Sequence, residues 1–223
     1  MKRFSTLFAG LIFCASHYAS AADCMDLSGA GLTKAGGRLA ADFAPAAIDG
    51  KAALRVTPGK AATDGLVILP LGDFRDGEIR LRLWSELRPD ASPDARGFAG
   101  LAFRIAADAK AFEYFYVRPG NARAASQVRR NHSLQYASYP AHPWEVLREA
   151  APEKYESYAD MGLGEWISIR ALVKEGAAQF YINGALRPSL VVEDLKLAPA
   201  GGAVGLWVGP GTVAHFAEAC VIR

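Results

Sequence analysis

Between Gly202 and Val221 the chain carries two apolar, β-prone runs, Val204 to Val208 and Val213 to Val221, on either side of Gly209-Pro210-Gly211. Glycine tolerates positive φ and proline presets φ near −65°, so this tripeptide between two strand-like runs reads as a turn. The same pattern recurs upstream. Strand signals fall at Ala52 to Val56, Leu66 to Leu69, Glu78 to Leu87, Gly97 to Ile105 and Phe112 to Arg118. Others follow at Leu134 to Tyr139, Trp166 to Lys174, Ala178 to Asn183 and Leu190 to Val192. Turn residues punctuate them, as at Asp76-Gly77, Pro119-Gly120-Asn121 and Asn183-Gly184. Trp144 to Glu156 is the one candidate helix, and reads equally as loop. Many short strands with Gly/Pro turns predict an all-β sandwich of two antiparallel sheets.

Alternation assigns faces, because side chains in a strand repeat every two residues. Ile79, Leu81 and Leu83 oppose Arg80, Arg82 and Trp84; Leu101, Phe103 and Ile105 oppose Gly100, Ala102 and Arg104. Phe115 and Val117 oppose Tyr114, Tyr116 and Arg118; Ile167, Ile169 and Val173 oppose Ser168 and Arg170. The apolar sets predict the core. The polar sets, placed in one sheet, would give a face of Arg, Tyr and Trp suited to the apolar faces and hydroxyl edges of sugars. Arg forks would add affinity for carboxylates.

The start of the chain has the form of an export leader. Lys2 and Arg3 precede an apolar Leu7 to Ala15, and Ala19-Ser20-Ala21 offers a small-x-small cleavage site. That apolar run is shorter than the roughly 20 residues of a spanning helix, and no later segment is longer. The expected division is residues 1–21 as signal peptide and 22–223 as a single domain, periplasmic or extracellular. Without Lys2 and Arg3 the 25 basic residues fall to 23, equal to the 23 acidic ones. Global charge therefore argues for no nucleic-acid partner, and hydropathy for no membrane insertion.

Trp166 to Arg170, Phe180-Tyr181-Ile182-Asn183-Gly184, Gly205-Leu206-Trp207 and the closing strand through Phe216 occur in an order that resembles the C-terminal half of concanavalin A-like lectin/glucanase jelly rolls. Phe112-Glu113-Tyr114-Phe115-Tyr116-Val117-Arg118-Pro119 is similar to a signature in exported bacterial proteins described as concanavalin A-like, laminin G-like or glycoside-hydrolase-related. Gln135-Tyr136 and Trp144 continue that pattern, and the resemblance covers about Gly97 to Val221. It implies a jelly roll that recognises a glycan on a concave sheet face. Cys24 and Cys220 are the two cysteines beyond the leader. An even pair in an exported chain favours a disulfide, and the terminal strands of such folds run side by side. Two unpaired thiols are the alternative.

The interval from Gly120 to Gly164 is long for a sandwich connection, and such insertions usually carry function or structure of their own. It begins where Tyr116 and Arg118 leave their strand. The ligand-binding candidates are accordingly Tyr114, Tyr116, Arg118, Asn121, His132, Gln135, Tyr136, Trp144 and Arg170. The expected ligand is carbohydrate, with five arginines (Arg80, Arg82, Arg104, Arg118, Arg170) biasing it toward acidic polysaccharide.

Catalysis is left open. The Glu-x-Asp-x-x-Glu arrangement of jelly-roll glucanases, which puts acid and nucleophile on one strand face, does not occur. Glu113 shares parity with Phe115 and reads as a paired structural carboxylate. His132, His142 and His215 lack metal-ligand spacing, and Asp73 and Asp76 read as turn residues, so no metal or cofactor is expected. The alternatives to a binding domain are a glycoside hydrolase or polysaccharide lyase using the same cleft, and a laminin G-like protein-interaction domain.

Overall fold

The computed structural model describes residues 22–27, 32–34 and 39–223; the expected leader lies outside the described residues. Strands are numbered in chain order. Among the described residues one sheet has eight: β1 (Ala22–Asp26), β3 (Ala41–Ile48), β4 (Lys51–Pro58), β6 (Gly77–Leu87), β11 (Trp166–Lys174), β12 (Ala177–Ile182), β13 (Leu190–Val192) and β15 (Thr212–Ile222). The other has seven: β2 (Thr33–Lys34), β5 (Gly65–Phe74), β7 (Ala99–Ile105), β8 (Phe112–Val117), β9 (Leu134–Tyr139), β10 (Glu156–Ser157) and β14 (Gly202–Val208). All pairings are antiparallel. The orders are β13-β12-β11-β6-β15-β4-β3, with β1 also on β15, and β10-β9-β8-β7-β14-β5-β2. No described helix is long and apolar enough to cross a membrane.

Alternation builds the core as expected. In the seven-stranded sheet one row of cross-strand partners runs Val67, Leu206, Leu101, Phe115, Tyr136. It faces the other sheet, since Phe115 stacks on Phe180 of β12 with ring centroids 4.1 Å apart. From the opposite sheet come Leu54, Leu81, Leu83, Ile167, Ile169 and Phe216, all buried. β3 escaped the sequence reading because Ala-Asp-Phe-Ala-Pro-Ala-Ala-Ile is poor in β-branched residues. As an edge strand it tolerates Pro45.

The disulfide is present. Cys24 and Cys220 are directly opposed partners on β1 and β15, with Cα atoms 4.0 Å apart. It encloses a sequence separation of 196 residues, a loop whose closure entropy amounts to about 5 kcal/mol at most.

Two expectations fail. The arginines do not share a face, because their strands belong to different sheets: Arg80, Arg82 and Arg170 lie on β6 and β11, Arg118 follows β8. Arg104 leaves the alternation altogether. Its φ of 51° and the register shift of β14 against β7 beside it break the period of two. Its guanidinium is buried, donating to the carbonyls of Arg75 and Glu175 and to Asp76 Oδ1 at 3.1 Å. Arg104 thus ties the β5–β6 connection between the sheets to the β11–β12 turn, and Asp76, which also accepts the Glu175 amide, is part of that clamp.

Candidate functional site

A second row of partners in the seven-stranded sheet faces away from the core: Leu66, Trp207, Gly100, Tyr116, Gln135, Glu156. Gly100 makes this row possible. A Cβ there would lie 2.0 Å from the Phe115 carbonyl oxygen, and the gap lets Tyr116 and Trp207 meet across β7 with centroids 4.6 Å apart. Tyr114 joins them, stacked on Tyr116 at 5.7 Å. Tyr114 and Tyr116 are buried. Burial pushes both phenols well above their usual pKa, with Arg118 pulling the other way, so both stay protonated hydroxyls.

At the end of this row Arg118 turns back over Tyr116. Its Nη2 donates to the Tyr116 hydroxyl and to Gln135 Oε1, both at 2.9 Å, and its Nη1 to Glu156 Oε1 at 3.3 Å. Three rings surround it, Tyr116 and Trp144 at 5.2 Å and Phe98 at 6.0 Å. Nε is left buried without a partner. Arg118 is therefore the floor of a site, its fork already spent on protein acceptors.

The long interval is not a loop laid over the sheet. It contains β9 and β10, which extend the sheet, and three short helices: α1 (Pro119–Ala122), α2 (Gln127–Asn131) and α3 (Trp144–Ala150). The α3 helix is shorter than the expected segment. Trp144 and Arg148, four residues apart, share one helix face, and the Arg148 guanidinium lies 4.4 Å from the Trp144 ring centroid. Arg148 also donates through Nε to Glu156 Oε2 at 2.9 Å and through Nη2 to Oε1. His132 Nδ1 comes within 3.1 Å of the same Oε1 without an aligned hydrogen bond. On α2, capped by Ser126, Arg129 projects with no partner of its own side chain among the described residues.

These elements enclose a cleft of about 440 Å³ lined by Asp94, Arg96, Phe98, Arg118, Asn121, Arg129, His132, Trp144 and Arg148. That volume falls within the range of small-molecule sites, roughly 300–1,000 Å³. Four guanidiniums surround it, against Asp94 at the rim and Glu156 below. Phe98 and Trp144 supply apolar walls. Asn121 anchors the floor by donating from Nδ2 to the His132 carbonyl at 3.0 Å, while its Oδ1 stays buried and unpartnered.

Of the nine sequence candidates, the structure brings Arg118, Asn121, His132 and Trp144 to the cleft wall. Tyr116 and Gln135 lie beneath Arg118 and hold it, and Tyr114 supports Tyr116. Tyr136 faces the core instead. It is opposite Phe115, and its hydroxyl donates to Glu113 Oε2 at 2.5 Å. Arg170 is on the other sheet, paired with Glu78 and over the Tyr181 ring. Glu113 is the buried structural carboxylate expected, accepting also from the Leu197 amide at 2.7 Å; desolvation raises its pKa. Asp94, Arg96, Phe98, Arg129 and Arg148 were missed as site residues. The Trp144/Arg148 spacing was the one signal that could have found Arg148. Among the described residues, the one grouping with metal-ligand chemistry is Cys24, Glu218 and Cys220, and its sulfurs are bonded to each other.

No family model matches the chain, and no curated protein matches its sequence. Solved structures do. A carbohydrate-binding module of the CBM66 type from Bacillus subtilis aligns with a TM-score of 0.59 at 15% identity, covering 85% of this chain and 93% of that one. A Bacillus subtilis protein of unknown function with a galectin-like fold gives 0.53 at 10% identity, over 82% and 88%. The exoplasmic/lumenal domain of VIP36, in a form bound to Ca2+ and Man2, gives 0.50 at 12% identity, over 82% and 80%. The fold is a concanavalin A-like jelly roll.

Proposed function

We propose that the chain is an exported carbohydrate-binding domain that holds an acidic glycan in the cleft between Phe98, Trp144 and Arg129. The observation that carries this reading is the composition of the cleft. Two aromatic walls suit the C–H faces of a sugar ring, and the guanidiniums outnumber the carboxylates. Arg118 and Arg148 are already bonded to Glu156, and Arg96 donates through Nη1 to the Pro93 and Ala95 carbonyls, which leaves Arg129 at the rim to meet a uronate or sulfate group. Planar guanidinium forks match such oxyanions bidentately. The likeness to a carbohydrate-binding module and a lectin domain supports the same direction at the level of fold. Export fits the disulfide, since such bonds persist in oxidising compartments. The reading places cleavage near Ala21 and the mature domain in the periplasm or outside the cell.

The hydrolytic alternative requires two carboxylates presented to a glycosidic bond. Both oxygens of Glu156 are occupied by guanidinium donors, so neither faces a sugar. Asp94 is the one carboxylate exposed at the rim. The arrangement favours binding.

The test is a glycan-array screen of the chain from Ala22, followed by calorimetry with acidic and neutral oligosaccharides at low and high salt. Acidic ligands should bind better, and their affinity should fall with ionic strength, because exposed charge contacts are screened within about 10 Å at 0.1 M. Equal affinity for neutral and acidic ligands, insensitive to salt, would remove the acidic preference. No binding to any glycan would remove the function.

A further inference from the structure

The outer face of the eight-stranded sheet carries a second concentration of cations and rings, unconnected to the cleft. Register places Tyr181, Arg170 and Arg80 in one cross-strand row, and Ser168, Arg82 and Glu218 in the next. A third row holds Trp166, Trp84 and His215. Arg80 and Arg170 share a single carboxylate, Glu78. Arg82 pairs with no carboxylate among the described residues. Its guanidinium lies 5.1 Å from the Trp166 ring centroid, and its Nε is buried without a hydrogen-bond partner. Trp166 Nε1 and His215 Nδ1 on the same face are also buried and unpartnered. Three guanidiniums, Arg80, Arg82 and Arg170, thus stand beside two carboxylates, Glu78 and Glu218, and of these Glu78 alone is paired with them among the described residues.

A depression of about 270 Å³ opens between Arg80, Arg82, Ser168, Arg170 and Tyr181, with Glu218 at its margin. It is smaller than the roughly 300–1,000 Å³ of ordinary ligand pockets, which suits one charged group better than an oligosaccharide. We propose that this face is a second binding site, taking a single oxyanion of an acidic polysaccharide on Arg82 and Arg170, with the Ser168 hydroxyl between them. Charge complementarity carries the assignment. It goes beyond the cleft reading and stands or falls separately. With one site on each sheet, one protein molecule bridges two polymer chains.

The experiment titrates the protein with dextran sulfate and with polygalacturonate, using neutral dextran as control, and reads affinity by calorimetry and bridging by turbidity. The unaltered protein should bind and cross-link both acidic polymers and leave neutral dextran clear. Replacing Arg82→Ala together with Arg170→Ala should abolish cross-linking and weaken total binding about tenfold, the loss expected of charge-assisted hydrogen bonds. Arg82→Lys, which keeps the charge and loses the fork, should retain the fold and give an intermediate loss; it controls for damage to the sheet. Trp144→Ala should weaken the cleft while leaving one site per molecule, and combining it with the double substitution should remove that remaining site. Cross-linking that survives the double substitution with its melting temperature unchanged overturns the second site and leaves the cleft reading standing. Binding that vanishes in Trp144→Ala alone does the same. Saturation by inorganic sulfate without any polymer binding to this face shows an ion site only, and overturns the polysaccharide assignment.

Discussion

Arg118 and Glu156, 38 residues apart in sequence, meet at 3.3 Å with their side chains 6% and 2% exposed. Glu156 accepts from Arg148 as well, so one carboxylate fixes both the floor and one wall of the cleft. Removing one partner of a buried pair leaves uncompensated charge and costs about 3–5 kcal/mol. Glu156→Ala should therefore lower unfolding free energy in urea by about that amount. A loss below about 1 kcal/mol, the value of an exposed pair, would show that the cluster is solvated.

Trp144 contacts two guanidiniums and is only partly covered, so its removal should touch binding more than folding. Trp144→Ala should reduce affinity for an acidic oligosaccharide about tenfold, equivalent to about 1.4 kcal/mol. The urea midpoint should stay close to that of the unaltered chain. Unchanged affinity in calorimetry excludes this cleft as the binding site.

Gly100 is needed for close approach of the strands. Gly100→Ala would push a methyl group against the Phe115 carbonyl, which belongs to the backbone and cannot swing aside. Overpacking of this kind costs about 1–3 kcal/mol. The near-ultraviolet circular dichroism of Tyr116 and Trp207 should change with it. A variant of unaltered stability and spectrum would mean that β7 and β8 can separate freely.

His215 is buried on the outer face of the eight-stranded sheet, and desolvation lowers its pKa, Glu86 opposing and Arg55 assisting. The unfolded chain then binds the proton more readily than the folded one. Stability from this group is full above the unfolded value near 6.5 and declines as pH falls below it toward the lowered folded value. Thermal melts between about pH 7 and about pH 5 should show a decline that His215→Gln lessens. A decline identical in both proteins assigns it to other groups.

Reduction of the Cys24–Cys220 bond releases up to about 5 kcal/mol of loop-closure entropy. For a domain of this size that corresponds to a melting temperature lower by up to about 10–20 °C. Cys24→Ala with Cys220→Ala should reproduce the effect of reductant, and reductant should do nothing further to that variant. An equal response of both proteins to reductant would assign the effect elsewhere.

The strands on which alternation was clean were legible almost residue for residue, as Leu134–Tyr139 and Trp166–Lys174 show. Sheet membership was not. Arg118 and Arg170 have the same parity relative to their apolar neighbours, and parity says which way a side chain points from its own sheet, not which sheet that is. Arg104 was misplaced because a single residue in the left-handed region reverses the pattern after it. Tyr136 could have been assigned correctly, since Leu134 and Tyr136 share the buried parity of β9. The cleft residues Asp94 and Arg96 come from an irregular stretch where no period exists to read, and Phe98, read as part of a strand from Gly97, precedes the observed start of β7 at Ala99.

The bridge between β1 and β15 also determines how the molecule transmits tension. Its sulfurs lie near both ends of the described domain, on strands that run side by side in opposite directions. A pull between the two ends passes from Cys24 to Cys220 through one covalent bond. None of it is borne by the strands that form the cleft. An oxidised molecule stretched by the two ends of the described domain keeps the geometry of the cleft under load. Once reduced, the same pull unzips β1 from β15 pair by pair, beginning at the ends.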